Sequence, residues 1–170
     1  MTLAYINLEL CDEDKEFIDS VLKNSINEEE YCYLKRKGGN QAKRAHLTLF
    51  FGLEYEKLNI REIKNDLSFV ANRVKELKFE SSEIFYLKNA SCNALVARIA
   101  DENLTQTHNL FKKYPYNQKR QNIFKPHITL AYIKKDAKLD LSNMTKLLYS
   151  KSFKICKYEL KIFGPRKKVM

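Results

Sequence analysis

The sequence lacks several features that would assign it to a large class of proteins. It has no apolar run of the ~18 residues that a membrane span needs, and no linker or low-complexity stretch divides it. Its first ten residues contain no basic leader and alternate like a strand, so we expect no secretory signal. No Cys-x-x-Cys pair is present, which argues against a zinc knuckle and predicts the scattered reduced thiols of a cytoplasmic protein. The four cysteines are Cys11, Cys32, Cys92 and Cys156.

What is present is the composition of one folded domain. The chain has 170 residues, of which 44% are hydrophobic and 31% are charged, so we expect a single domain over residues 1–170 with a buried core. The net charge of +10 suits a phosphate-bearing partner, although lysine-rich surfaces also serve solubility. The basic residues cluster at Lys35-Arg36-Lys37, Lys43-Arg44, Lys112-Lys113, Lys119-Arg120, Lys125 and Arg166-Lys167-Lys168.

Hydrophobic periodicity predicts an α+β fold, because strand-like and helix-like segments alternate along the chain. The stretches 37–40, 88–93 and 115–126 are predicted to be turns or loops. The predicted strands are Leu3–Leu10, a short one in Tyr31–Leu34, Ala45–Phe51 (ended by Gly52), Phe79–Leu87, Leu95–Ile99, His127–Ile133 and Tyr158–Phe163. The predicted helices are one capped near Asp12 or Asp14, then Asn59–Val74, Asp101–Tyr114 and Ser142–Ser150.

A short pattern occurs twice, in two of the predicted strands. The segments read His46-Leu47-Thr48-Leu49-Phe50-Phe51 and His127-Ile128-Thr129-Leu130-Ala131-Tyr132. Two of the three histidines in the chain thus have threonine two positions later. Because residues i and i+2 of a strand point to the same face, each repeat presents one imidazole and one hydroxyl together.

Two such pairs facing each other suit phosphodiester cleavage without a metal. A neutral imidazole takes a proton from the attacking hydroxyl or water, and a protonated imidazole supplies one to the leaving oxygen. Threonine hydroxyls can hold the non-bridging phosphate oxygens. The pseudo-symmetry leaves open which histidine is the base. A zinc site that used the third histidine, His108, would leave both threonines unexplained, so we interpret His108 as structural or exposed.

These motifs resemble those of the two-histidine (2H) phosphoesterase superfamily, which includes the LigT-like RNA 2′,3′-cyclic phosphodiesterases. The second motif, Phe124-Lys125-Pro126-His127-Ile128-Thr129-Leu130, is similar to the family's aromatic-x-Pro-His-x-Thr-Leu signature, and the two histidines lie 81 positions apart. The resemblance implies a bilobal α+β fold, with two pseudo-symmetric antiparallel sheet lobes and outer helices around a central groove. It implies that His46, Thr48, His127 and Thr129 are catalytic, with no metal and no cofactor.

Other substrate contacts are interpreted from residue type alone. The candidates for base stacking are Tyr5, Phe50, Tyr132 and Phe163, and Lys125 is the candidate for phosphate contact. Such aromatic residues also occur commonly in protein cores.

The resemblance implies a nucleotide, oligonucleotide or RNA substrate, with no membrane and no obligate protein partner. Family members open 2′,3′-cyclic phosphates, cleave 2′-5′-linked oligoadenylates, or, in phage, cleave cyclic oligonucleotides of the CBASS defence. The composition suits an AT-rich phage, virus or bacterium. The resemblance then implies that a phage or viral enzyme of this kind degrades an immune nucleotide signal. The alternatives left open are a non-catalytic RNA- or nucleotide-binding module and a 2′-5′ RNA ligase.

Overall fold

The helices and strands occupy nearly the positions that the sequence predicts. The computed structural model describes residues 2–34, 37–87, 90–120 and 123–163. The predicted basic clusters at 35–36 and 166–168, and part of the predicted turn at 88–93, lie outside the described residues. The strands are β1 (Leu3–Leu10), β2 (Tyr33–Leu34), β3 (Lys37–Asn40), β4 (His46–Glu54), β5 (Glu76–Phe85), β6 (Cys92–Ile99), β7 (His127–Lys134) and β8 (Ser152–Phe163). The helices are α1 (Asp12–Ser25), α2 (Ile60–Arg73), α3 (Glu102–Leu110) and α4 (Leu141–Tyr149).

Side-chain caps begin three of the helices. Each cap accepts a hydrogen bond from a backbone N–H two or three residues later, which satisfies one donor of the first turn. The predicted capping of α1 by an aspartate is wrong, because its N-cap is Cys11 and makes no side-chain bond. Acidic residues fill the first turn of α1 instead, where the helix dipole favours them. The three caps are Asn59, Asp101 and Asp140.

Among the described helices, none has both the length and the apolar character to cross a membrane.

The strands form an antiparallel sheet with two related halves. Their order is β2-β3-β7-β4-β1-β8-β5-β6, and β6 also pairs with β7, so the strands from β7 to β6 close into a ring. Strands β4, β1 and β8 make one lobe, and β7, β6 and β5 make the other. The pseudo-two-fold relation exchanges β4 with β7, β1 with β6 and β8 with β5. The predicted bilobal α+β fold is confirmed.

Helices pack on the ring in matching positions. Helix α2 packs on β8 and α4 on β5, while α1 contacts α4 and α2 contacts α3. The core between sheet and helices is formed by aliphatic and aromatic side chains, including the stacked rings of Phe79 and Phe153 with centroids 4.1 Å apart. This arrangement leaves the opposite face of the central strands for the site.

Some element boundaries differ from prediction because pairing partners, rather than local sequence, set them. The predicted turn Lys37–Asn40 is strand β3, which pairs with β7. Gly52 does not end β4 but lies within it at φ 92°, a backbone conformation that glycine adopts readily. Strand β8 begins at Ser152 rather than at Tyr158, because its first residues pair with β5.

Two disulfides join the four cysteines, so the prediction of reduced thiols is wrong. Cys11 pairs with Cys156 and Cys32 with Cys92, across sequence separations of 145 and 60 residues. Cys11 follows β1, and Cys156 lies on the neighbouring strand β8. Sequence spacing could not reveal partners that only the strand pairing brings together.

Candidate active site

The two His-x-Thr strands lie side by side at the centre of the ring. The middle residues of the motifs, which separate each histidine from its threonine, pair with each other and are fully buried. Extending this antiparallel register by one residue each way sets His46 opposite Thr129 and Thr48 opposite His127 on the groove face. Diagonal neighbours in such a ladder lie about 7–8 Å apart, which places the two histidines on either side of a space that fits one phosphate.

Both imidazoles are fixed by the same local hydrogen bond. Nδ1 of His46 lies 2.6 Å from the carbonyl oxygen of Arg44, and Nδ1 of His127 lies 2.8 Å from that of Lys125. A carbonyl oxygen only accepts, so Nδ1 carries the hydrogen and donates in each ring. In both rings Nε2 is therefore the nitrogen that is available to the groove for acid–base chemistry in its neutral tautomer.

The electrostatic surroundings of His127 favour its neutral form. Burial lowers the pKa of His127 below its ordinary 6.5, and the positive charge of Arg98 acts in the same direction. The hydrogen bond to the Lys125 carbonyl opposes them only in part. His127 therefore favours its neutral form near pH 7.

A bulge in each motif strand decides which aromatic side chain faces the groove. Against β1 the extra residue is Leu49, and against β6 it is Leu130. A bulge shifts the alternation of faces by one residue. Phe51 and Tyr132 therefore return to the face of the threonines, whereas Phe50 points to the core.

The predicted stacking residue Phe50 does not reach the groove face. Its side chain is 1% exposed, and its ring packs against His108 at 4.9 Å and edge-on against Tyr116 at 5.4 Å. A ring enclosed in this way has no open face for a base, so the stacking prediction for Phe50 is wrong, and Phe51 occupies the groove face instead. The signal was in the repeat itself, because Phe51 and Tyr132 occupy the same position of the two motifs.

Two other predicted stacking residues gather around Phe51 on the first lobe. The ring of Phe51 lies 6.2 Å from that of Tyr5 and 5.8 Å from that of Phe163. The side chain of Phe163 is 51% exposed. Tyr132 lies on the second lobe, beside β3, and is half-buried.

A cavity of about 680 Å³ opens beside the motif strands. The ring of Phe85 lies 4.9 Å from that of His127, and Phe124 stacks on His108 at 4.1 Å. The lining thus combines catalytic candidates with aromatic rings able to hold a base. It includes Thr48, Phe51, Phe85, Phe124, the predicted phosphate contact Lys125, and His127.

His108 is bonded to the motif strand β4 through a backbone carbonyl. Its side chain is buried, and its Nδ1 donates to the carbonyl oxygen of the bulge residue Leu49 at 2.7 Å. Burial lowers the pKa of His108, so the ring is neutral. In the described part of the chain, no group of three or more His, Cys, Asp or Glu side chains is placed to hold a metal.

The structure also reveals groove residues that the sequence did not indicate. On β1, Glu9 lies opposite His46 and Asn7 opposite Thr48. Asn7 is fully buried, and neither polar atom of its amide has a hydrogen-bond partner among the described residues. On β6, Arg98 lies opposite His127. These neighbours belong to strands distant in sequence, so only the pairing identifies them.

The same fold occurs in solved structures of other proteins. Solved structures that share this architecture over nearly the whole chain are phosphoesterases of the 2H superfamily, and the chain has their fold. The resemblance drawn from the motifs is thereby confirmed for the fold. No protein-family model and no curated protein matches the sequence.

Three of these structures illustrate the likeness. Escherichia coli LigT complexed with 3′-AMP is 18% identical with a TM-score of 0.58, covering 96% of this chain and 90% of LigT. A crystal structure of a phosphoesterase is 19% identical with a TM-score of 0.54, covering 95% and 88%. Kluyveromyces marxianus Usb1 with uridine monophosphate is 12% identical with a TM-score of 0.51, covering 95% and 96%.

Proposed function

We propose that this protein is a metal-independent phosphodiesterase that cleaves a phosphodiester of a nucleotide or oligonucleotide by two-histidine acid–base catalysis. The observation that carries the proposal is the pairing of β4 with β7. It sets two imidazoles diagonally across one groove, each with a threonine opposite and each tied through Nδ1 to a carbonyl oxygen.

The surroundings of His127, which lower its pKa, favour it as the base. Its neutral Nε2 takes the proton of the attacking hydroxyl or water, and His46 in its protonated form gives a proton to the leaving oxygen. General base catalysis and general acid catalysis each contribute ~10²–10⁴-fold in rate. Thr48 and Thr129 donate their hydroxyl hydrogens to the non-bridging oxygens and hold the phosphorus between the rings.

Aromatic rings beside the motifs favour a substrate that carries bases. Phe51 with Tyr5 and Phe163 offers one stacking surface, and Phe85 with Phe124 offers another at the cavity. LigT binds 3′-AMP and Usb1 binds uridine monophosphate in the similar structures, which supports a nucleotide in this groove. The basic segments 35–44 and 112–125 each lead into a motif strand and favour an oligonucleotide over a mononucleotide.

Product analysis by mass spectrometry tests the proposal. The panel contains 2′,3′-cyclic nucleotides, 2′-5′ and 3′-5′ oligoadenylates, and cyclic di- and trinucleotides, the last representing immune signals that a phage or viral enzyme degrades. We expect hydrolysis of at least one linkage, undiminished by EDTA, with short oligonucleotides turned over faster than cyclic mononucleotides.

The outcomes separate the remaining possibilities. Strict dependence on an added divalent metal contradicts the mechanism. Binding without hydrolysis of any panel member identifies a non-catalytic nucleotide-binding module. Formation of 2′-5′ bonds from RNA ends, without hydrolysis, identifies a ligase. Equal turnover of mononucleotides and oligonucleotides contradicts only the preference for longer substrates.

A further inference from the structure

Arg98 is a charged side chain of the groove that the proposed mechanism leaves without a role. It lies on β6 directly opposite His127, so the two side chains share a face. The Arg98 side chain is 18% exposed. Its Nη1 atom is buried and has no hydrogen-bond partner in the described part of the protein.

The described groups beside this guanidinium leave its Nη1 without an acceptor, although Cζ lies 6.0 Å from the centroid of the Phe85 ring. Nε of Arg98 lies 3.7 Å from Oε1 of Glu83, whose side chain is 49% exposed. That separation is too long for a hydrogen bond, and an ion pair so exposed to water is weak. A guanidinium presents five N–H donors and needs acceptors for those that are buried. Arg98 therefore holds unsatisfied donors beside the candidate base.

The other lobe has the opposite arrangement at the pseudo-symmetric position. There Glu9 lies opposite His46, and Lys15 satisfies it at 2.6 Å, with Lys161 at 3.7 Å. The first lobe thus offers a carboxylate already neutralised, whereas the second offers a cation with spare donors. An anionic ligand is attracted to the side of His127.

We propose that Arg98 is a third phosphate-binding residue of the groove, donating from its guanidinium to a non-bridging oxygen of the phosphodiester beside His127. The proposal rests on the function proposed above. Guanidinium groups suit phosphate, because their planar fork of donors matches two oxygens at once. The unpaired Nη1 atom then gains its acceptor from the ligand.

Arg98 acts on His127 in the free protein as well. Its charge contributes to lowering the pKa of His127, together with burial. Of the other ionisable groups nearby, Glu83 on β5 lies 3.7 Å from Arg98, His46 lies on the paired strand β4, and Lys125 precedes His127 by two residues. Removal of the Arg98 charge raises the pKa of His127, so the ring titrates at higher pH.

Binding of inorganic phosphate and of adenosine 3′-monophosphate, measured by calorimetry, tests the proposal directly. We expect Arg98→Gln to weaken both by about tenfold or more, the size expected for a hydrogen bond to a charged group, and Arg98→Lys to restore part of the loss. The control is Arg73→Gln on α2, where Arg73 bonds Gln106 at 3.1 Å far from the motif strands. It leaves both affinities unchanged.

A second measurement excludes a merely structural role. The imidazole resonances of His127, followed by NMR against pH, shift to a higher midpoint in Arg98→Gln but not in Arg73→Gln. Arg98→Met keeps most of the side-chain volume if Arg98→Gln fails to fold, and gives the same readouts. Wild-type affinities and an unmoved midpoint in folded Arg98 variants overturn the proposal, even while the enzyme cleaves its substrate. A wild-type protein that neither binds nor cleaves any phosphodiester overturns the proposed function itself.

Discussion

At the scale of single residues, the two imidazoles are held alike but surrounded differently. Each donates from Nδ1 to the carbonyl oxygen two residues before it. His46 lies opposite Glu9, which is paired with lysine, whereas His127 lies opposite Arg98. The fold supplies two equivalent rings, and the strands beside them give the rings different electrostatic surroundings. The proposed division into an acid and a base builds on that difference.

Substitution of the motif residues should separate proton transfer from phosphate binding. We expect His46→Ala or His127→Ala to lower kcat by at least ~10²-fold each, because the third imidazole, that of His108, is buried and bonded to the Leu49 carbonyl oxygen. Thr48→Ala or Thr129→Ala should reduce kcat/KM less completely, since each hydroxyl holds one phosphate oxygen of several contacts. Arg73→Gln on α2, whose side chain bonds Gln106, is the control. Steady-state kinetics on the best panel substrate would contradict the assignment if either histidine variant kept wild-type turnover.

The pH dependence of kcat/KM should report the lowered pKa of His127. The base must be neutral, so activity rises with pH through the pKa of this ring in the free enzyme. Because burial and Arg98 lower that pKa from 6.5, the acidic limb has its midpoint below pH 6.5. The profile falls again at higher pH as the acid deprotonates. An acidic limb centred above pH 6.5 excludes neutral His127 as the base in this setting.

At the scale of elements, the sequence predicts what lies along one strand and misses what lies across it. The repeat His-x-Thr locates both motif strands and the shared face of each pair, because these follow from the two-residue period. The bulges at Leu49 and Leu130 break that period, so alternation alone places Phe50 and Ala131 on the groove face, where the structure has Phe51 and Tyr132. Arg98 and Asn7 could not be found from their own segments, since their importance comes from pairing with strands far away in sequence.

The bulge at Leu49 makes opposite predictions for two adjacent phenylalanines. Phe50→Ala empties a buried site and should lower the free energy of unfolding by ~3–5 kcal/mol. Phe51→Ala, on the groove face, should lower it by only about 1 kcal/mol and raise KM for a base-containing substrate, since stacking contributes ~1–3 kcal/mol per base. Urea unfolding and steady-state kinetics check both. The reverse pattern, with Phe51 the larger loss of stability, means that the bulge does not turn the strand.

At the scale of the whole molecule, segments far apart in sequence are held together by the ring of paired strands and by two disulfides. Backbone hydrogen bonds pair β1 with β8 in the ring of strands. The disulfide Cys11–Cys156 links the residue that follows β1 to β8 covalently. Cys32–Cys92 ties the segment before β2 to the start of β6. Disulfides persist in oxidising surroundings and are rare in the cytosol. The expected cytoplasmic location therefore conflicts with the pairing of the thiols, and the state of the cysteines in the protein as produced decides between them.

Removal of a disulfide should lower the free energy of unfolding, and the loss should be larger for the disulfide that closes the longer loop. The loop between Cys11 and Cys156 spans 145 residues and that between Cys32 and Cys92 spans 60, and the entropy lost by the unfolded chain grows with loop length. We expect Cys11→Ser/Cys156→Ser to lower the free energy of unfolding by ~2–5 kcal/mol, and Cys32→Ser/Cys92→Ser by about 1 kcal/mol less. Urea unfolding with and without reductant measures both, and mass spectrometry after thiol alkylation counts the bonds. Four alkylated cysteines in unreduced protein contradict the pairing. In that case the cytoplasm is again the expected location, because only the disulfides argue against it.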